Sequence, residues 1–268
     1  MSIFGNKPPH HNEACAESAE IQKTSSFGVG VKNLSKHFDG VMALDNLSLE
    51  FPSFSVVGVI GPNGSGKTTL LNLLSGLFPY DRGVITISEV KLQKIIPQEI
   101  SFYGLTRTFQ EVRLFNQMKV LDNLLVVLTE RQVFGALFEK HNQFHLKRAE
   151  ELLQKVGLAE KRNELAINLS YGQRKLLEIA RALAMDAKIY LLDEPFAGLS
   201  PAMVKTVTEI IRGLKKEDKT VILVEHDMDL IRSLVDYLFV LDSGTLLAFG
   251  APQEVLEKKE VIDAYLGI

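Results

Sequence analysis

Apolar residues along this chain follow two distinct rhythms, and the changes between them set out an architecture. Val29, Val31 and Leu34, and then Leu44, Leu47, Leu49 and Phe51, recur at close to two-residue spacing, with polar Asp39-Gly40 between the two groups. Such alternation reads as short half-buried strands joined by a turn, an antiparallel β unit. Val56 to Ile60 is then an unbroken apolar run, the mark of a buried strand. Gly83 to Ile87 and Leu105 to Phe109 add further strands. Between about 116 and 156 the rhythm changes. Val120, Leu121, Leu124, Leu125, Val127 and Leu128 fall on one helical face, and so do Ala149, Leu152, Leu153 and Val156. A helical insertion is expected there, within about 111–187.

Beyond Gly157, helix and strand alternate. The pattern predicts a helix from about Gly172 to Met185, a strand Ile189 to Leu192, a helix Pro201 to Lys216 and a strand Thr220 to Val224. That repetition argues an α/β fold built on a mostly parallel sheet with helical cover. Two short helices, near 252–258 and 260–266, are expected to close the chain.

Composition narrows the picture without naming a function. The chain has 268 residues, 46% of them hydrophobic, enough for a substantial core. Its 30 basic and 33 acidic residues leave a net charge of −3, so nothing in the overall balance marks a nucleic-acid binder. The single cysteine, Cys15, excludes an internal disulfide framework. The richest apolar stretch, Leu176 to Leu192, is broken by Glu178, Arg181, Asp186 and Lys188, so it does not read as a membrane span. Residues 1–26 are polar and irregular and carry no apolar signal-peptide core. They are expected to form a disordered tail, with His10-His11 solvated rather than metal-bound.

Chemistry enters directly after the first buried strand. Gly61-Pro62-Asn63-Gly64-Ser65-Gly66-Lys67-Thr68-Thr69 matches G-x-x-x-x-G-K-[ST] between a strand and a helix start, Leu70-Leu71-Asn72-Leu73-Leu74. In that setting the glycines let backbone N–H groups curl around an anion, and the helix N-terminus adds a positive dipole end. Lys67 is placed to reach the β- and γ-phosphates, and Thr68 to offer its hydroxyl to Mg²⁺. The core is therefore expected to be a P-loop NTPase core that binds a nucleoside triphosphate. A second signal is Ile189-Tyr190-Leu191-Leu192-Asp193-Glu194-Pro195, in which two adjacent carboxylates emerge at the carboxyl end of a strand, where open α/β sheets bind ligands. Asp193 suits holding Mg²⁺ through its water shell or orienting Thr68, and Glu194 suits polarisation of an attacking water. Leu169-Ser170-Tyr171-Gly172-Gln173 opens an amphipathic helix, and taken alone Ser170 reads as its N-cap.

In combination these motifs resemble the ATPase subunit of an ABC transporter. The resemblance rests on the phosphate loop, Gln110, L-S-x-G-Q, the strand ending in Asp-Glu-Pro and Glu225-His226-Asp227, and it spans about 28–268. It implies that Phe38, 23 residues before Gly61, stacks on adenine. It implies that Gln110 touches Mg²⁺ or water and senses the γ-phosphate, and that His226 contacts the γ-phosphate. It further implies that Ser170, Gly172 and Gln173 close over ATP held by a second subunit. Two positions depart from the family pattern: Tyr171 stands where a small residue is usual, and Ser200 stands where many members carry an acid.

The closer likeness is to the ATP-binding subunits of high-affinity branched-chain amino acid importers, the LivG-like group. Gly104 to Phe115, Ile222 to Met228 and Gly250 to Gly267 carry it. It implies an ATP hydrolase that uses ATP and Mg²⁺, works as a homo- or heterodimer, and sits peripherally on the cytoplasmic face of the inner membrane. Its implied partners are integral membrane permeases and, indirectly, a substrate-binding protein, with no nucleic acid involved. Catalysis is expected to fall to Lys67, Gln110, Glu194 and His226, and metal binding to Thr68, Gln110 and Asp193. Glu111 to Met118, with Leu114 and Phe115 apolar in a segment that otherwise reads as exposed, is the expected meeting place with a permease loop. The alternatives are a soluble non-transport ABC ATPase of the iron–sulfur assembly or DNA repair type, and an ATPase serving urea or lipopolysaccharide transport.

Overall fold

The computed structural model describes residues 27–88, 90–129 and 139–266. The expected tail 1–26, with Cys15 and His10-His11, lies outside the described residues. Strands β1 (Phe27–Phe38) and β2 (Val41–Pro52) form one long hairpin, joined at Asp39-Gly40. Both turn residues have positive φ, 46° and 86°, the twist that suits a tight hairpin. Each strand runs 12 residues, longer than the short segments expected, because register shifts absorb the breaks in alternation near Leu34 and Lys36. With β4 (Arg82–Ile87) and β5 (Val90–Leu92) they make a four-stranded antiparallel sheet in the order β2-β1-β4-β5.

The second sheet holds the chemistry. Its order is β10-β9-β3-β8-β7-β6, formed by β3 (Val56–Ile60), β6 (Leu105–Arg107), β7 (Ile189–Asp193), β8 (Thr220–Val224), β9 (Tyr237–Asp242) and β10 (Thr245–Gly250). All neighbours pair parallel except β9 and β10. The apolar runs of β3, β7 and β8 are explained by burial on both faces. Val56, Ile60, Tyr190, Leu192, Val221 and Leu223 face one core, and Val57, Val59, Ile189, Leu191, Ile222 and Val224 face another.

Helix α1 (Lys67–Leu74) and the four-stranded sheet cover the second core. The first is covered by α2 (Val120–Thr129), α3 (Glu139–Lys155), α4 (Tyr171–Ala184) and α5 (Pro201–Lys216). Also on that side are α6 (Met228–Leu234), α7 (Pro252–Leu256) and α8 (Lys259–Leu266). Helices α2, α3 and α4 pack on one another. An isolated bridge between Lys119 and Leu165 closes the segment that carries α2 and α3. Among the described residues, no helix is long and apolar enough to cross a membrane.

Candidate active site

The phosphate loop leaves the carboxyl end of β3 and enters α1 at Lys67. Gly61 and Gly66 make this path possible. At Gly61 an added Cβ would come within 2.0 Å of the Leu241 carbonyl oxygen. At Gly66, with φ +99°, it would come within 2.7 Å of the Ala43 carbonyl oxygen. Only glycine lets the loop thread this closely between neighbouring backbones. Lys67 Nζ donates to the Gly61 and Pro62 carbonyls at 2.8 and 2.9 Å, with Ser65 Oγ at 3.4 Å. Burial pulls the Lys67 pKa down, while the nearby Glu194 and Asp193 carboxylates oppose that shift. The side chain thus folds back as a cap over its own loop, an arrangement that an incoming anion would reorganise.

A cleft of about 280 Å³ opens over this loop. Asn63, Gly64, Gly66, Lys67, Thr68 and Thr69 line it from below, and Gln110, Glu194 and His226 from three other segments. Four separate motifs of the sequence therefore converge on one space. Glu194 directly follows β7 with φ +48°, its N–H bonded to the Val224 carbonyl at 3.0 Å. Its Oε1 lies 3.1 Å from His226 Nε2. Buried Glu225 holds both neighbourhoods from behind: Oε1 accepts from Phe196 N–H at 3.0 Å and Oε2 from His226 N–H at 3.1 Å. Burial pushes the Glu225 carboxyl up, and those two N–H bonds oppose the shift.

Asp193 sits deeper and does not line the cleft. Arg107 Nη2 pairs with its Oδ2 at 3.0 Å, and both side chains are almost wholly buried. Arg107 Nη1 also donates to Asn72 Oδ1 at 2.7 Å and Ser75 Oγ at 2.8 Å. Burial raises the Asp193 pKa, and the Arg107 guanidinium works against the rise. Among the described residues, none provides a hydrogen-bond partner for the buried Asp193 Oδ1. A buried carboxylate oxygen left in that condition is costly, and a hydrated divalent cation beside it would complete its bonding. Asp193, Thr68 and Gln110 carry hard oxygens of the kind Mg²⁺ takes alongside water.

The remaining predicted residues lie elsewhere. Ser170 caps α4 in a reciprocal capping box: its Oγ accepts from Gln173 N–H at 3.3 Å, and Gln173 Oε1 accepts from Ser170 N–H at 3.0 Å. Ser170, Gly172 and Gln173 do not line the cleft. Tyr171 turns its ring over the loop after β7, where a Cβ added at Gly198 would meet the ring at 2.9 Å. Phe38, at the end of β1, packs edge-on against Phe78 with ring centroids 5.4 Å apart and does not line the cleft either. Phe115 is exposed with the Arg181 guanidinium 5.0 Å from its ring, whereas Leu114 packs against the core and is less available than expected.

Sequence reasoning gave no individual role to Arg107, Lys175 or Glu178, each buried and bonded next to a predicted site residue. Lys175 donates to the Glu194 carbonyl oxygen. The Tyr265 hydroxyl, on α8, accepts from the Gly61 backbone, and burial pushes this phenol up to about 12.

A family model described as ABC transporter matches residues 44–197, more than half the chain. The chain belongs to the ABC transporter family. It is 40% identical over 248 residues to the high-affinity branched-chain amino acid transport ATP-binding protein LivG of Salmonella typhimurium, covering 89% of this chain and 97% of that protein. Among solved structures, a nucleotide-free ATP-binding cassette from an ABC transporter superposes with a TM-score of 0.79 at 30% identity, covering 90% and 100% of the two chains. A dimeric cassette in a post-hydrolysis state, bound to ADP and Pi, gives 0.76 at 27% identity, covering 84% and 98%. The resemblance read from the motifs and the expected α/β cassette fold are thus borne out, and ATP hydrolysis is the activity of this class.

Proposed function

We propose that this chain is the ATP-hydrolysing subunit of an importer for branched-chain amino acids, acting on the cytoplasmic face of the membrane beneath separate permease subunits. The observation that carries the hydrolytic part is the Glu194–His226 contact at the mouth of the phosphate-loop cleft. The solute comes from the likeness to LivG.

In this reading the backbone N–H groups of residues 63–69 and the Lys67 ammonium hold the β- and γ-phosphates. Glu194 accepts a proton from the attacking water as the water oxygen closes on the γ-phosphorus and the bond to the β–γ bridging oxygen breaks, leaving ADP and inorganic phosphate. His226, tied to Glu194 and held by Glu225, keeps that carboxylate aimed and faces the γ-phosphate itself. Bound Mg²⁺, held by Thr68, Gln110 and Asp193, would supply neutralising charge for the phosphates. Phe38 would offer an aromatic face to adenine.

Two such subunits sandwich two ATP molecules, so Ser170 and Gly172 complete a site on the partner rather than their own. Their place outside the cleft supports this arrangement, as does the dimeric cassette with ADP and Pi. ATP joins the halves, hydrolysis lets them part, and that cycle drives the attached permeases. A substrate-binding protein would deliver the solute to those permeases.

Uptake of labelled leucine, isoleucine and valine in cells carrying only Glu194→Gln tests the reading. Loss confined to these solutes is expected. Unchanged uptake, together with loss of another solute, would refute the assigned substrate and leave the hydrolytic reading standing.

A further inference from the structure

Helix α4 carries three charged residues at three-residue spacing, Lys175, Glu178 and Arg181, which share one face of the helix. A charged stripe on a helix is ordinarily solvated, yet here Lys175 is 2% exposed and Glu178 is 7% exposed. Every one of them bonds to backbone of a site residue or of the segment that carries Gln110. Lys175 holds the carbonyl of Glu194. Glu178 Oε1 accepts from the N–H groups of Phe109 and Arg113, at 3.3 and 3.4 Å. Arg181 donates to the carbonyl of Arg113.

The two amides bonded by Glu178 bracket Gln110, one residue before it and three after. One carboxylate oxygen thus draws the segment into a loop, with Gln110 at its exposed turn and in the nucleotide cleft. The Phe109 ring reinforces the closure, with the Arg113 guanidinium 3.9 Å from its centroid and that of Arg107 at 5.0 Å. A cavity of about 310 Å³ lies beside this latch, lined in part by Phe109, Arg113, Glu178 and Arg181, so the loop has space to shift if the latch opens.

We infer that Glu178 is a positioning residue for hydrolysis: it fixes Gln110 in the cleft by holding the backbone on either side of it. Because Glu178 sits two turns along the helix capped by Ser170, the setting of Gln110 follows the orientation of that helix. This inference rests on the hydrolytic reading above.

The full-length chain tests it with three variants, Glu178→Ala, Glu178→Gln and Gln110→Ala, assayed for steady-state Mg²⁺-ATPase and for amide hydrogen exchange. Glu178→Ala is expected to lower kcat about ten-fold, as loss of a buried acceptor for two N–H groups implies, with KM for ATP changed less than about two-fold. Glu178→Gln, which keeps an acceptor oxygen in place, should restore most of the rate. Adding Glu178→Ala to Gln110→Ala should slow the enzyme no further. Full additivity in that double variant, or a normal kcat for Glu178→Ala, would overturn the inference.

Exchange reads the latch without turnover. The Phe109 and Arg113 amides should exchange slowly in the wild type and in Glu178→Gln. Fast exchange at both in the wild type refutes the latch even if Glu178→Ala fails to fold. A wild type that holds these amides but hydrolyses no ATP would count against the proposed activity alone.

Discussion

His226 Nε2 lies 3.1 Å from Glu194 Oε1, and neither residue is free to choose that distance. Glu194 is fixed through its own backbone, by the Val224 carbonyl and by Lys175, while Glu225 holds the backbone of His226. The pair is therefore built into the ends of β7 and β8. Replacing Glu194 with Gln keeps a polar partner for His226 but removes the proton acceptor. Hydrolysis should fall about 10²–10⁴-fold, the range for a lost general base. ATP binding should persist, so the variant should elute as an ATP-dependent dimer on a sizing column, alone or mixed with a paralogous subunit. A variant that binds ATP tightly but stays monomeric in both settings would speak against the sandwich.

Arg107 and Asp193 form a buried pair whose members cannot be removed singly without cost. Arg107→Met leaves the buried Asp193 carboxylate without its ion-pair partner and should destabilise the chain by about 3–5 kcal/mol. Arg107→Met combined with Asp193→Asn should recover part of that loss. Urea unfolding of the single and double variants measures both, and equal stability for the two would contradict the pairing account.

Glu178 gives stability a pH signature. Burial raises its carboxyl from 4.5 to about 7, against the pull of the Phe109 and Arg113 amides and the Lys175 and Arg181 charges. Between those values the folded chain keeps a proton that the unfolded chain releases. The stabilisation from this group is complete below about pH 4.5 and is lost as pH rises through 7. Glu178→Gln has no such titration. The stability of wild type relative to Glu178→Gln should therefore decline between pH 5 and pH 8 in parallel denaturant series, and a flat difference would contradict the shift.

Gly61→Ala places a methyl group against the Leu241 carbonyl, where only 2.0 Å is available. The loop must move, so nucleotide affinity should fall at least about ten-fold, with a lower unfolding midpoint from backbone strain. Titration with a fluorescent ATP analogue reads the first effect. Wild-type affinity would mean that the loop tolerates a displacement its close approach forbids.

Leu114 and Phe115 test coupling separately from chemistry. Changing both to Ser should leave ATPase of the isolated chain within about two-fold, since neither lines the cleft. Stimulation of hydrolysis by reconstituted permeases should be lost. Phe115, the exposed member, should account for most of that effect. Normal coupled hydrolysis would remove this segment from the permease surface.

Strands β3, β7 and β8 were legible because burial on both faces writes itself as an unbroken apolar run. The phosphate loop was legible because its chemistry fixes residue types at fixed spacing. Other features were written less plainly. Strand β6 stops at Arg107 rather than continuing to Phe109, because the Phe109 N–H turns to Glu178 instead of a neighbouring strand. Strands β9 and β10 were not predicted, although Asp242-Ser243-Gly244 separates two apolar runs there. Helix α6, seven residues long, offers too few turns for a periodic signal. The buried charges were hardest to foresee. Glu178 and Arg181 registered in the sequence only as interruptions of an apolar stretch, because what they bond lies some 65 to 69 positions away along the chain.

The Ser170 hydroxyl oxygen receives the Gln173 amide, and no acceptor for its own proton lies among the described residues. An anion brought up by a neighbouring subunit can take that proton's hydrogen bond while the helix end stays intact. In the proposed sandwich, association and release would then require no local refolding at this tip, a property suited to a joint that opens and shuts.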